Sequence, residues 1–306
     1  MQRLRTWQLF AICVGVWGTT WHAITYQLVG FAPEFGVALR FALAGAAVLA
    51  LAAGRGEPLR FSLRLHGWLA VQGCFLYGVS YVCVYHAERF VASGLVAVGY
   101  SAAPLLAGLG ASLLFGVAVG GRFVVGGLMG LAGIALIFWP EITRPAEGER
   151  GALGAALTVA SVLLSSIGSL AASRNRANGL PLLPALGYGM LYGAAAAALA
   201  ALALGRGFAL PLAWSWWLSL AWLALAGSVL TFDCFLTLQD RVGPGPAGTI
   251  GVMTPLVALV VSIGLEGFRP DLLTAVGAAL ALAGNALMLR PSARRAPLRA
   301  DAAAAE

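Results

Sequence analysis

The chain has 306 residues, 60% of them hydrophobic and 10% charged, where a soluble domain carries about 25% charged residues. This excludes a soluble globular protein: with a mean hydropathy of +0.87 and ~20 apolar residues per crossing, the length accommodates about ten membrane helices and no sizeable extramembrane domain. All 19 basic residues are arginine, so a Walker A ATPase and a Schiff-base or pyridoxal enzyme, which need a lysine, are excluded on this chain alone. The net charge of +7 comes without a basic stripe interleaved with aromatics, so membrane topology accounts for the arginines better than a nucleic-acid partner. Cys13, Cys74, Cys83 and Cys234 lie in apolar stretches without C-x-x-C spacing and read as packing residues. No metal or cofactor is expected.

Charges, Gly/Pro clusters and apolar runs divide the chain into ten spans, at about 6–29, 33–53, 66–87, 91–116, 121–140, 151–173, 181–204, 213–238, 244–266 and 271–290. The first follows Arg3 and Arg5 as a secretory signal would. Its apolar run exceeds a 7 to 15-residue signal core, so it is expected to remain as a spanning helix. With the N-terminus cytoplasmic, 13 arginines fall on inside segments and 5 on outside loops, while Arg40 lies within a span. That excess predicts that both termini are cytoplasmic. The Ala-rich tail 291–306 reads as disordered.

The chain repeats itself. A shift of 151 residues lays Pro104 on Pro255, Gly116 on Gly267, Gly126 on Gly277, Gly133 on Gly284 and Pro140 on Pro291. One gap upstream, Glu88-Arg89 matches Asp240-Arg241. Five spans precede the boundary near Glu149 and five follow it, so residues 1–149 and 150–290 form two five-helix repeats. Because five is odd, the second copy enters the membrane from the opposite side. The fold class is therefore an all-α polytopic membrane protein, ten transmembrane helices in two inverted repeats. Transporters of this architecture bind substrate near the midplane between the halves.

Val16-Trp17-Gly18 in the first span, Leu39-Arg40-Phe41 in the second, Pro104 and Pro255 in the fourth and ninth, and Leu265-Glu266-Gly267 running on through Gly277 and Gly284 carry a resemblance to a known family. Over nearly the whole chain the pattern resembles the ten-helix EamA-type members of the drug/metabolite transporter superfamily. The first half departs from it, with Phe115 where Glu266 falls in the second. The aromatic run of the third span looks most like the amino-acid exporter branch, including exporters of aromatic amino acids.

Tyr77, Tyr81 and Tyr85 at i, i+4 and i+8 share one helical face, as do Trp17 and Trp21, and Tyr100 lies one turn before Pro104. A tyrosine hydroxyl facing hydrocarbon has no partner, so Trp17, Tyr77, Tyr81 and Tyr100 are expected to line a wet cavity. Trp21 and Tyr85 fit a cavity or an interfacial belt. Mid-helix prolines at equivalent points of inverted repeats make Pro104 and Pro255 candidate hinges, against simple packing. Gly126 and Gly130, spaced GxxxG, with Gly133 beyond, suit close helix packing within the molecule.

Few ionisable groups lie inside the spans, and each is a functional candidate. Arg40, ~10 Å into its span, could hold a substrate carboxylate through its fork of donors, or pair with an acid or freed carbonyls. Asp233 and His22 are candidate proton sites, against satisfied polar core residues; His86 lies near its span's outer end. Ser165, Ser166, Ser169, Thr249 and Met253 could supply the second half's cavity wall, although membrane serines often bond their own backbone. Gly243-Pro-Gly-Pro-Ala-Gly248 spells G-x-G-x-x-G without a strand, and His86-Ala-Glu88 spells H-x-E without P-C-x-x-C.

The sequence thus reads as a bacterial inner-membrane secondary transporter, expected to act as a monomer in the lipid bilayer and to export small amphipathic metabolites, amino acids above all, by alternating access. Export of drugs or hydrophobic cations, or of lipid-linked sugars, is the alternative. The first span has no acid of the kind that four-helix drug exporters use. An intramembrane enzyme would want a nucleophile and base on adjoining turns, and none is spelled out.

Overall fold

The computed structural model describes residues 3–116, 119–143, 148–207 and 211–289; the tail 291–306 lies outside the described residues. Among the described residues every regular element is helical. The ten helices are α1 (Thr6–Thr25), α2 (Pro33–Gly54), α3 (Leu63–Ala87), α4 (Ser93–Gly99 continuing to Phe115), α5 (Gly121–Thr143), α6 (Gly148–Ala177), α7 (Leu182–Ala203), α8 (Trp214–Val242), α9 (Pro244–Gly248 and Ile250–Leu265) and α10 (Leu272–Leu289). Nine are long and apolar enough to cross a membrane. The exception, α1, has 20 residues but includes Gln8, His22 and four threonines. It packs inside the bundle, against α8 and α9. It ends at Thr25, short of the expected 29, where turn bonds at Gln27 and Leu28 and the left-handed Gly30 lead to Pro33.

The packing has the pseudo-two-fold symmetry that inverted repeats require. The first helix of each half lies on the third and fourth helices of the other: α1 on α8 and α9, α6 on α3 and α4. The second helices, α2 and α7, pair with one another, as do the fifth, α5 and α10. In the α5–α10 seam Gly126 faces the Gly284 carbonyl and Gly133 the Gly277 carbonyl, and the reverse approaches are equally close. The contact of Gly126 with Gly284 is the symmetry image of that of Gly277 with Gly133. Gly116 and Gly267 close their helices with φ of +67° and +68°, the left-handed geometry that a glycine adopts without strain.

The third helix of each half contains a π-helical stretch, Cys74–Val79 in α3 and Trp222–Leu230 in α8. The repeat shift lays the first onto the end of the second. A π-helix widens the turn and frees carbonyls, and such bulges gather at functional sites. Here the Ser228 and Thr231 hydroxyls take up the Leu223 and Ala226 carbonyls, each five residues back. The α4 helix is interrupted by a 3-10 turn at Tyr100–Ala102 just before Pro104, and α9 carries Pro255 within it.

The side of the bundle from which α1 starts is called the near side below, and the opposite one the far side.

Candidate functional site

Both π-helical stretches face one cavity of about 380 Å³ between the halves. Its walls are Trp17, Thr20, Trp21 and Ile24 of α1, Arg40 and Phe41 of α2, Tyr77 and Tyr81 of α3, and Ala97, Tyr100, Ala103 and Pro104 of α4. The second half adds Gly227, Ser228 and Phe232 of α8, Gly248, Gly251, Thr254 and Pro255 of α9, and Asn285 and Leu289 of α10. Gly248 and Leu289 stand at near-side helix ends. Towards the far side the lining stops at the level of Ile24, Arg40 and Tyr81, so the space runs from the near side to beyond mid-membrane.

The rings line the cavity as a box of three clusters. Trp17 has Phe232 and Phe235 at 5.4 Å, Trp21 has Tyr100 at 5.3 Å, and Phe41 lies 5.2 Å from Tyr77 and 4.8 Å from Tyr81. Trp17 Nε1 donates to the Gly227 carbonyl at 2.9 Å, which ties the box to the π-helical turn of the other half. At its far end the Arg40 guanidinium sits 4.9 Å above the Tyr81 ring and 5.0 Å above that of Phe41. Arg40 is 4% exposed, and its Nε and Nη1 have no hydrogen-bond partner. A desolvated cation held by ring faces and short of acceptors is a site for an anionic group. Among the described lining residues there is no Asp or Glu.

Two five-helix halves exchanging their first helices around a shared aromatic cavity match a family pattern, and the EamA-like transporter family matches the chain twice, over residues 5–139 and 152–290. The chain belongs to the EamA-like transporter family. It is 29% identical over 264 residues to the uncharacterized inner membrane transporter YedA of Escherichia coli K12, covering 85% of this chain and 82% of that one. The YedA proteins of strains O6:H1 and O157:H7 align equally well. A solved crystal structure, 22% identical, shares the fold with a TM-score of 0.65 over 92% of this chain and 94% of its own. The protein is thus a membrane transporter of the EamA type.

Around that EamA cavity the expected residues divide. Trp17, Trp21, Tyr77, Tyr81, Tyr100, Arg40, Pro104 and Pro255 all line it. Tyr85 does not; it is fully buried beside Gly36, not in a belt. Ser166, Thr249 and Met253 stand outside the lining. The Ser166 and Thr249 hydroxyls donate to the Val162 and Pro246 carbonyls, and Met253 is exposed on the helix flank. The second half's polar wall is Ser228, Thr254 and Asn285 instead, none of which the sequence reading singled out. Asn285 was hidden among the Ala and Leu of the last helix.

Asp233, His22 and His86 are paired at the two ends. On the near side Asp233 meets Arg55, tying α8 to the end of α2. On the far side His22 Nδ1 lies 3.0 Å from Glu266 Oε1, while Glu266 also accepts from the Ser93 amide at 3.1 Å and from the Ser93 hydroxyl. Ser262 joins this knot through Ser93 and the Gly94 amide. His86 Nε2 meets the buried Glu34 at 2.8 Å. These contacts close the bundle beyond Arg40.

Proposed function

We propose that the protein exports small amphipathic carboxylates, amino acids including aromatic ones, across a bacterial inner membrane by alternating access. The observation that carries this reading is a mid-membrane cavity walled by rings, with a buried guanidinium at its closed end whose Nε and Nη1 have no hydrogen-bond partner. A volume of about 380 Å³ falls in the range of small-molecule sites. The ring of an aromatic amino acid would stack between Trp17, Trp21 and Tyr100, and its carboxylate would reach the Arg40 fork. Its ammonium would find the Asn285 side-chain oxygen, which is buried and unbonded, and the hydroxyls of Ser228 and Thr254. The absence of an acid from the described lining argues against hydrophobic cations as the main cargo.

With the termini cytoplasmic, as the arginine bias predicts, the cavity faces the cytoplasm and the far side is the periplasmic gate, the state that loads an exporter. The inner-membrane transporters named YedA support the same location. Counterflow in proteoliposomes tests the reading. L-phenylalanine and L-tryptophan should exchange, whereas the corresponding amines without a carboxylate should not. Equal exchange of acid and amine would refute the role of Arg40, and exchange of neither would refute the substrate class.

A further inference from the structure

Between the closed end of the cavity and the far-side surface lies a carboxyl group that the transport reading does not use. Glu88 follows the last turn of α3, with its amide bonded to the Val84 carbonyl. It is 8% exposed, and neither carboxyl oxygen has a hydrogen-bond partner. An ionised carboxylate in that position would forgo both water and a hydrogen-bond partner, which disfavours the charged form. The charges that act on it are Arg40, reaching from α2, and Glu266, at the end of α9. Glu266 is held in place by His22 of α1 and Ser93 of α4.

We infer that Glu88, buried with both carboxyl oxygens unbonded and within reach of the Arg40 and Glu266 charges, is a proton-binding site whose occupancy is linked to that of the Arg40 anion site. The link to cargo rests on the substrate reading above; the proton site does not. Burial and the Glu266 charge push the Glu88 carboxyl well above the usual carboxylate range, and Arg40 pulls it down. Glu88 lies outside the membrane-spanning stretch of α3, which ends at Ala87. The other charged and titratable groups at this end of the bundle include Tyr85 on Glu88's own helix, the His86–Glu34 pair, and the exposed Arg89, Glu149, Arg150, Arg206 and Arg269.

The sign of the linkage follows. A carboxylate bound to Arg40 offsets the positive charge that favours ionised Glu88, so binding raises the proton affinity of Glu88 and takes up a proton. Reciprocity then requires that lower pH tighten anion binding. Proton and cargo load together, next to the Glu266 knot that holds the far side closed.

Infrared titration of the full chain, reconstituted without substrate, tests the site by itself. A protonated-carboxyl band should be present at neutral pH in the wild type and lost in Glu88→Gln. Its titration midpoint should move up in Arg40→Gln and down in Glu266→Gln, each by about one pH unit or more, the size a neighbouring charge produces. A spectrum unchanged in Glu88→Gln, or a midpoint moved by neither neighbour, overturns the site. If one neighbour variant does not fold, the direction of shift in the other decides. Adding L-phenylalanine to weakly buffered protein held at a pH near that midpoint should then take up protons in the wild type and not in Glu88→Gln. Binding without uptake removes the link to cargo. No binding, with the band titrating as stated, counts against the substrate class and leaves the proton site standing.

Discussion

The α5–α10 seam joins the two halves through glycines, and one substitution there separates packing from intrinsic helix preference. A Cβ on Gly133 would stand 2.5 Å from the Gly277 carbonyl oxygen and 2.5 Å from the Ala281 amide nitrogen. Ordinary contact begins at 3.4 Å, so the two backbones must part by about 0.9 Å. A gap of 0.5–1 Å forfeits a quarter to a half of the dispersion well for each pair of atoms it separates, and overpacking of this kind costs ~1–3 kcal/mol. Gly130, one turn earlier on the same helix, would meet nothing within 4 Å. Both substitutions gain the same ~1 kcal/mol of helix propensity, so the difference between Gly133→Ala and Gly130→Ala isolates the seam. In a thermal scan monitored by size-exclusion of detergent-solubilised protein, Gly130→Ala should match or exceed the wild type. Gly133→Ala should melt below Gly130→Ala by at least ~2–4 °C, the shift that 1 kcal/mol produces in a domain of roughly this size. Equal melting temperatures would refute the argument, because the halves would then be free to separate without loss.

Trp17→Phe keeps a ring in the box and removes the bond to the Gly227 carbonyl, worth ~1 kcal/mol; transport of aromatic substrates should fall by roughly fivefold, and Trp17→Ala further, with expression retained in both. Pro104→Ala and Pro255→Ala should bias the protein towards opposite access states, read by cysteine accessibility from each side on a background lacking Cys13, Cys74, Cys83 and Cys234; a shift in the same direction would make the prolines packing features. Asp233→Asn should leave the pH dependence of transport unchanged and cost under about 1 kcal/mol of stability, since its partner Arg55 is 43% exposed and exposed pairs are worth little.

How far the sequence reaches depends on which physical signal it carries. Apolar length and arginine-marked loops delimit all ten helices to within a few residues, because the bilayer sets one length for each crossing. The repeat was readable because glycines at a seam tolerate no substitute, and they survive as identities at one fixed shift. The tyrosine face of α3 was readable from helical spacing. The π-helical turns were not, since Cys74–Val79 and Trp222–Leu230 contain nothing that a regular membrane helix lacks; a shared widening of both third helices appears only once the backbone is built. Partners distant in sequence stayed hidden for another reason. His22 meets a residue 244 positions away and Asp233 one 178 positions away, and no local pattern encodes either. Glu88 was visible only as a repeat match to Asp240 and as the end of an H-x-E run; its burial is not encoded in either pattern.

That match also shows where the two halves stop being equivalent. Inverted repeats supply each local device twice, once pointing to each side of the membrane, and the π-helical stretches and the helix prolines Pro104 and Pro255 obey the rule. The acids do not. Glu266 has Phe115 as its counterpart, and the counterpart of the buried Glu88 is Asp240, which is exposed on the near side. Among the described residues the two carboxyls with their neighbouring guanidinium therefore occur at the far end, whereas the near side is tied by the partly exposed Arg55–Asp233 bridge. The two ends of the bundle are thus tied by different chemistry. By the proton-site inference above, protons should act on the far end through buried charge, and salt should act more strongly on the Arg55–Asp233 bridge, where water screens the pair.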